Sequence, residues 1–350
     1  MKIGLAGYSG SGVTTLLSLI AEDPGVVEKH AGPEVRSVKI RDPRLEKLAV
    51  MFGSKKTTPV HMDLVELGDL RPEDGGGLRT QTLKRAAGLE ALVLVLRGFD
   101  APLSPGCRPV DELAEELDSL GVEFCLTDLM PVEGRLEKLS KEGKLSSPEA
   151  ALLNRVKEHL EEGRPVRRME LSREETKTLS GYQFLTQFPL MVVVNVGEEC
   201  AVAGPYGGFS AQCASEGIAF MTTCAKAEQE LLEIPEGERI PFLAELGQES
   251  LSGDRFVSKI FDLLRLVNFF TVNEREARGW VVPEGTRAVK AAGKIHDDME
   301  RGFIRAEVLS CDECFELGGW AQAREAGKLN IEGKDYFIRE GDVIQVRFNV

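Results

Sequence analysis

A chain of 350 residues with 42% hydrophobic and 29% charged content has the composition of a soluble protein able to bury two or three cores, so wholesale disorder is excluded. Its net charge of −14 argues against broad electrostatic adhesion to nucleic acid or anionic lipid. No apolar run reaches the roughly 18 residues that span a bilayer, and MKIGLAGYSG turns glycine-rich too early for a signal-peptide core; a cytoplasmic location is expected, with no membrane or DNA partner.

MKIGLAG is a short apolar run ending in glycine, and TTLLSLIAE after it carries Leu16, Leu17 and Ile20 at helical spacing, which reads as strand, loop, helix. The loop between them, GYSGSGVTT, follows the phosphate-binding pattern G-x-x-x-x-G-K-[ST] at every position but one. Gly7 and Gly12 frame it, and Ser9, Gly10 and Ser11 keep it small enough for backbone N–H groups to wrap a polyphosphate at a helix N-terminus. Thr14, followed by Thr15, stands where a hydroxyl would coordinate Mg²⁺. Val13 stands where the pattern has lysine and supplies no ammonium group for the β- and γ-phosphates, so binding should weaken and hydrolysis should suffer more. A glycine-rich strand-to-helix turn that holds no ligand is the alternative reading of this stretch alone.

Further along, PVHMDLVEL, LEALVLVLRGFD, FPLMVVVNVGE and GIAFMTTCA are strand candidates, several of them near-continuous apolar runs of the kind covered on both faces of a parallel sheet. Alternation with helical segments indicates a doubly wound α/β domain. In MDLVELGDL, Asp63 is placed as the metal-linked aspartate of a D-x-x-G switch, with Glu66 where that motif has glycine and Leu67 after it. VVVNVGEE offers Asn195 and Glu198 as N-x-x-E, a variant of the N-K-x-D purine reader.

LMPVEGRLEKLSKEG and SPEAALLNRVKEHLEEG have helical periodicity and a short turn between them, a helical hairpin over 129–165. The stretch from Arg135 to Lys177 is richer in Lys and Arg than the rest, the surface least repulsive to a phosphate-rich partner, although charge alone favours a solvated mixed-charge helical face. S-R-E-E in RMELSREETK resembles a capping box. From about residue 270, strand-like segments and a helical TRAVKAAGKIHDDMERG suggest a separate β-grasp-like module of some 80 residues.

Taken together, these motifs resemble the Obg-like ATPase family, the YchF-type P-loop NTPases of the translation-factor class, along nearly the whole chain. The likeness is carried by RDPRLEKLAVMFGSKKTTPVHMDLVEL, EALVLVLRGFD, EFCLTDLMPVEGRLEKL and HLEEGRPVRRMELS, and most specifically by FFTVNEREARGWVVPEGTRAVKAAGKIHDDMERGFIRAEVLSCDECFELG and REAGKLNIEGKDYFIREGDVIQVRFNV, which look like that family's TGS domain. The resemblance implies a Ras-like P-loop NTPase domain at 1–128 and 166–268, a coiled-coil insertion at 129–165 and a TGS domain at 269–350. It implies ATP or GTP bound with Mg²⁺, and a ribosome or RNA partner. By position, Gly7, Gly12 and Thr14 would contact phosphate and Mg²⁺, Thr58 would be the first-switch threonine, Asp63 the metal's partner, and Asn195 and Glu198 the base readers. Val13 and Glu66 depart from the family pattern at the same end of the ligand, which marks a degenerate NTPase with weak or absent hydrolysis, or a scaffold that binds RNA or protein without nucleotide. Lys55, Lys56 and Arg79 are the candidate compensating cations, with plain surface charges as the alternative.

Seven cysteines without a secretory signal are expected to be reduced thiols. Cys311 and Cys314 form a C-x-x-C with no second pair to complete a zinc site, so a buried or helix-start pair is expected. His296, on a predicted helix, is expected to be structural or on the surface.

Overall fold

Twelve strands are arranged in two six-stranded sheets in the computed structural model, which describes residues 1–21, 35–71, 78, 80–99 and 106–349. In chain order the strands are β1 (Lys2–Gly7), β2 (Val35–Ile40), β3 (Lys56–Thr58), β4 (Val60–Asp69), β5 (Ala91–Arg97), β6 (Leu190–Asn195), β7 (Ala219–Thr223), β8 (Leu266–Val272), β9 (Glu276–Pro283), β10 (Phe303–Ser310), β11 (Asn330–Glu332) and β12 (Asp342–Phe348). The chain divides into two compact units: 1–37 with 63–260, and 38–62 with 261–350.

In the first unit the sheet order is β2-β4-β1-β5-β6-β7. The pairs β4/β1, β1/β5, β5/β6 and β6/β7 are parallel, and β5 and β6 are buried almost throughout, as their unbroken apolar runs predict. Because β1 is flanked by strands reached in opposite directions, the carboxyl ends of β1, β5, β6 and β7 open on one crevice, the place where doubly wound sheets bind ligands.

The helical hairpin begins earlier than its predicted start at 129, with a continuous helix Val110–Lys141 that contains Pro131. The N-terminal part of this helix contributes Leu113, Leu117, Leu120 and Phe124 to the core of the sheet. Its remainder packs Val132 and Leu139 against Leu152, Leu153, Val156 and Leu160 of the helix Pro148–Glu161. The sequence pattern located the protruding part and missed the half that serves the sheet, since both halves carry apolar residues at helical spacing. Ser147 caps the second helix by accepting from Ala150 N at 3.2 Å, and the predicted capping box is formed by Ser172 and Glu175. Buried Asp128 fastens the hairpin, accepting from Leu185 N (2.9 Å), Thr186 N (2.8 Å) and Thr186 Oγ1 (2.7 Å).

In the second unit the sheet order is β11-β10-β12-β8-β9-β3. The helix Ala288–Ile295 packs on Phe269, Ala306 and Ile344. Residues 38–62 complete this unit: β3 adds to the sheet edge parallel to β9, and the helix Pro43–Met51 buries Leu45 and Leu48 with Phe270, Leu309 and Val343. Sequence reading assigned these residues to the nucleotide domain. Their partners lie more than 200 positions away in the chain, which no local pattern reports.

Candidate nucleotide site

The glycine loop is built as its sequence requires. Gly10 (φ 87°) and Gly12 (φ 94°) lie in the left-handed region that favours glycine. A Cβ on Gly12 would sit 2.2 Å from Asn195 Nδ2, and one on Gly7 would sit 2.5 Å from both Ser11 Oγ and Val95 O. Ser11 N donates to Tyr8 O at 3.0 Å, and the helix Val13–Ile20 follows directly, with no acidic residue in its first turn to compete for an anion. Ser11 is buried and its hydroxyl has no hydrogen-bond partner among the described residues. Gly7, Ser9, Gly10, Gly12, Val13, Thr14 and Thr15 all line a cavity of about 830 Å³.

At the phosphate end, Val13 is 9% exposed and faces the loop, with Cγ2 3.2 Å from the position a Gly7 Cβ would take. Thr14 Oγ1 donates to Glu66 Oε1 at 3.1 Å. A hydroxyl beside a carboxylate is an all-oxygen donor set that fits Mg²⁺, so Thr14 and Glu66 are the residues that would hold that ion.

This contact corrects the expectation for Asp63. In the parallel register Asp63 lies opposite Lys2, at the start of β1, whereas Gly7 lies opposite Asp69; Asp63 is thus about 16 Å along the strand from the loop. Glu66 is the acid at the loop, and Asp69, three residues later, stands where the D-x-x-G motif has glycine. Asp69 is tied to the loop itself. Burial pushes its carboxyl up, but Arg71 and the backbone N–H groups of Arg71 and Ser9 outweigh this and hold it below the ordinary carboxylate range.

At the other end, Asn195 is 5% exposed, lines the same cavity and also serves as a brace. Its Nδ2 donates to Ser11 O at 3.0 Å and its Oδ1 accepts from Ala225 N at 3.2 Å, which joins the phosphate loop to the ends of β6 and β7. Glu198, exposed in the first turn of the helix Glu198–Ala203, lines the cavity together with Phe99, Cys224, Lys226 and Gln229. Sequence reading missed Phe99, Lys226 and Gln229. The available signal was that each follows the carboxyl end of a buried strand, β5 or β7.

Cys107 and Cys200 are joined by a disulfide, against the expectation of seven reduced thiols. It fixes the helix that begins with Glu198 to the segment following β5, where Phe99 and Cys107 also form a β-bridge. The other five cysteines are buried and free.

The remaining candidates lie in the second unit or beyond the described residues. Thr58 belongs to β3, where its hydroxyl donates to Glu276 Oε1, and Lys56 pairs with the same carboxylate at 3.3 Å. Lys55 is exposed there, and its backbone N–H donates to Glu274 O. Arg79 lies outside the described residues. His296 Nδ1 accepts from Asp298 N at 3.1 Å and caps the helix Asp297–Arg301. Cys311 opens the helix Cys311–Leu317, and its side chain is buried with that of Cys314. No helix among the described residues is long and apolar enough to cross a membrane.

A glycine loop between β1 and a helix, an acid on β4 reaching its threonine, and an asparagine after β6 define a P-loop NTPase fold, here with a C-terminal domain. Comparisons with known proteins agree. Residues 266–349 match the family model YchF-GTPase_C, described as a protein of unknown function. The chain is 33% identical to the "Ribosome-binding ATPase YchF" of Bacillus subtilis over the whole of both proteins, and 29% identical to "Obg-like ATPase 1" of Caenorhabditis elegans, covering all of this chain and 92% of that one. The solved Schizosaccharomyces pombe YchF GTPase is 25% identical, superposes with a TM-score of 0.82, and covers 99% of this chain and 97% of its own. The chain belongs to the YchF family of Obg-like P-loop NTPases.

Proposed function

We propose that this protein binds a purine nucleotide, ATP or GTP with Mg²⁺, in the 830 Å³ cavity, hydrolyses it weakly or not at all, and acts in the cytoplasm in association with the ribosome or translation machinery. The phosphate loop takes the α- and β-phosphates on its backbone N–H groups, Thr14 and Glu66 hold the metal, and Glu198 and Lys226 face the base end. The observation that carries the weak-hydrolysis reading is the charge at the γ-phosphate end. Val13 brings no cation there, and Asp69, paired with Arg71, stands where the motif has glycine. Phosphoryl transfer depends on neutralising charge on the transferred group, and this end lacks the lysine that would do so. The relatives named ribosome-binding ATPases support the ribosome half of the proposal.

The Thr14 hydroxyl bonded to Glu66 and the Ser11 carbonyl bonded to Asn195 favour a second reading, in which the loop is braced from within the protein and the protein is a scaffold that binds RNA or protein through its hairpin and TGS domain. Calorimetric titration of the metal-stripped, nucleotide-free protein with ATP, GTP, ADP and GDP, with and without Mg²⁺, separates the two. Micromolar Mg²⁺-dependent binding supports a nucleotide protein; no binding at millimolar nucleotide supports the scaffold.

A further inference from the structure

The first unit contains a second, smaller cavity of about 160 Å³, where the long helix Val110–Lys141 meets the ends of β5 and β6. Its apolar wall includes Leu117, Phe124 and Leu190, and its polar side is formed by Asp118, Arg167, Arg168, Thr186 and Glu216. Arg168 is paired with Glu216 at 2.6 Å. Arg167 has no ion pair or hydrogen bond among the described residues, and its buried Nε–H has no acceptor.

A water satisfies an N–H but not a charge, and a cation largely withdrawn from water without a close counter-ion is unfavourable. Burial lowers the Arg167 guanidinium to about 10, which leaves it charged at neutral pH. Glu216 offsets it only in part, being engaged by Arg168 at 2.6 Å; Asp118 on the same wall is exposed to solvent, and burial pushes the Cys125 thiol up to about 11, so that group stays neutral. The volume holds roughly ten water positions at 10–15 Å³ each, enough for a small molecule.

We propose that this cavity binds a small organic anion, with a carboxylate or phosphate head on the Arg167 guanidinium and a short apolar body against Leu117, Phe124 and Leu190. The planar N–H fork of an arginine matches either oxyanion, and a single unpaired cation suits a singly charged head. The apolar wall gives a chain-length preference. Each methylene buried there strengthens binding about fourfold, so butyrate should bind about fifteenfold more tightly than acetate.

The test follows the Arg167 Nε–H signal of the ¹⁵N-labelled full-length protein, assigned by its disappearance in Arg167→Lys, during titration with acetate, butyrate and inorganic phosphate. The expected result is a saturable shift with Kd of about 1 mM or tighter for the best probe. A phosphate response without a butyrate response assigns the head group to phosphate, and the reverse to carboxylate. Gly121→Leu is the control that keeps Arg167. Gly121 lines the cavity on a helix, a Cβ there meets nothing within 4 Å, and leucine is the better helix former, so the variant should fold with the cavity filled and binding at least tenfold weaker. No saturable shift with any of the three probes, or binding that survives Gly121→Leu, overturns the proposal.

Discussion

Val13→Lys tests the reading of the phosphate end most directly. Val13 is the first residue of its helix, lines the cavity and packs over Gly7, so a lysine there keeps the same stem and extends its ammonium group along the loop. An ammonium 4 Å from a phosphate charge gains about 4 kcal/mol at an effective dielectric of 20. Ordering the long side chain costs up to about 2 kcal/mol, which leaves at least about 2 kcal/mol, and hydrogen bonds to charged groups contribute about 1.5–3 kcal/mol, the range adopted for the net gain. Affinity for Mg²⁺-ATP or Mg²⁺-GTP should therefore rise by about 10- to 150-fold, with little change for the nucleoside. The carboxylates of Glu66 and Asp69 compete for the new cation. Asp69→Asn removes one of them and releases its partner Arg71, so the double variant V13K/D69N should gain more than the sum of the two single changes. Isothermal titration with triphosphate, diphosphate and nucleoside reads all of this. An increase below about threefold for triphosphate in the double variant would show that the missing lysine and the added acid are not what limits the site.

Three further outcomes follow from the same geometry. Gly12→Ala should destabilise the first unit by about 2–5 kcal/mol, since it forces a left-handed alanine against Asn195 and breaks that residue's bond to Ser11, whereas Gly10→Ala, with nothing within 4 Å, should cost only the backbone term of about 1–2 kcal/mol; equal urea midpoints for the two would refute the brace. Alkylation of the unfolded, unreduced protein followed by mass spectrometry should modify five of the seven cysteines and spare Cys107 and Cys200, and reduction should lower the unfolding midpoint, because the bridge closes a loop with a sequence separation of 93, worth about 2–5 kcal/mol; modification of all seven without reductant removes the bridge. Asp128 gives a pH dependence of definite sign: burial raises its carboxyl to about 6 despite its hydrogen bonds to Thr186 and Leu185, so the folded protein keeps a proton that the unfolded chain releases, and its contribution is greatest below about pH 4 and declines by about 1.4 kcal/mol per pH unit up to pH 6. Unfolding free energies of the wild type and Asp128→Asn measured from pH 4 to 7 should differ in slope over that interval, and parallel curves would contradict the assignment.

The features legible in the sequence are those written locally. Unbroken apolar runs gave β5 and β6, and a glycine frame between a strand and a helical pattern gave the loop at 7–15, because glycine is required where φ is positive or where Asn195 and Ser11 approach the backbone. The missing lysine at Val13 was visible for the same reason: it is an absence at a fixed position in a short motif. The C-terminal module was legible through its long family likeness, and the helical hairpin through its period, although that same period hid the point at which one helix passes from the core of the sheet into the hairpin.

What only the tertiary structure decided are pairings between distant residues. Spacing alone put the metal-linked acid at Asp63, and the parallel register of β1 with β4 moved it to Glu66, because a displacement of three residues along a strand carries a side chain about 10 Å and reverses the face it points from. The same register set Asp69 opposite Gly7, on the wall of the cavity, a placement no motif records. Asn195 kept its place in the site and gained a second task, since its side chain also bonds Ser11 O and Ala225 N. Residues 38–62 joined the second unit through partners more than 200 positions away, and Cys107 found Cys200 across a separation of 93. The sequence by itself determined the kind of site and the cation it lacks; the fold determined which charges stand in that place, because electrostatics at a site depends on distances through space that the order of residues does not contain.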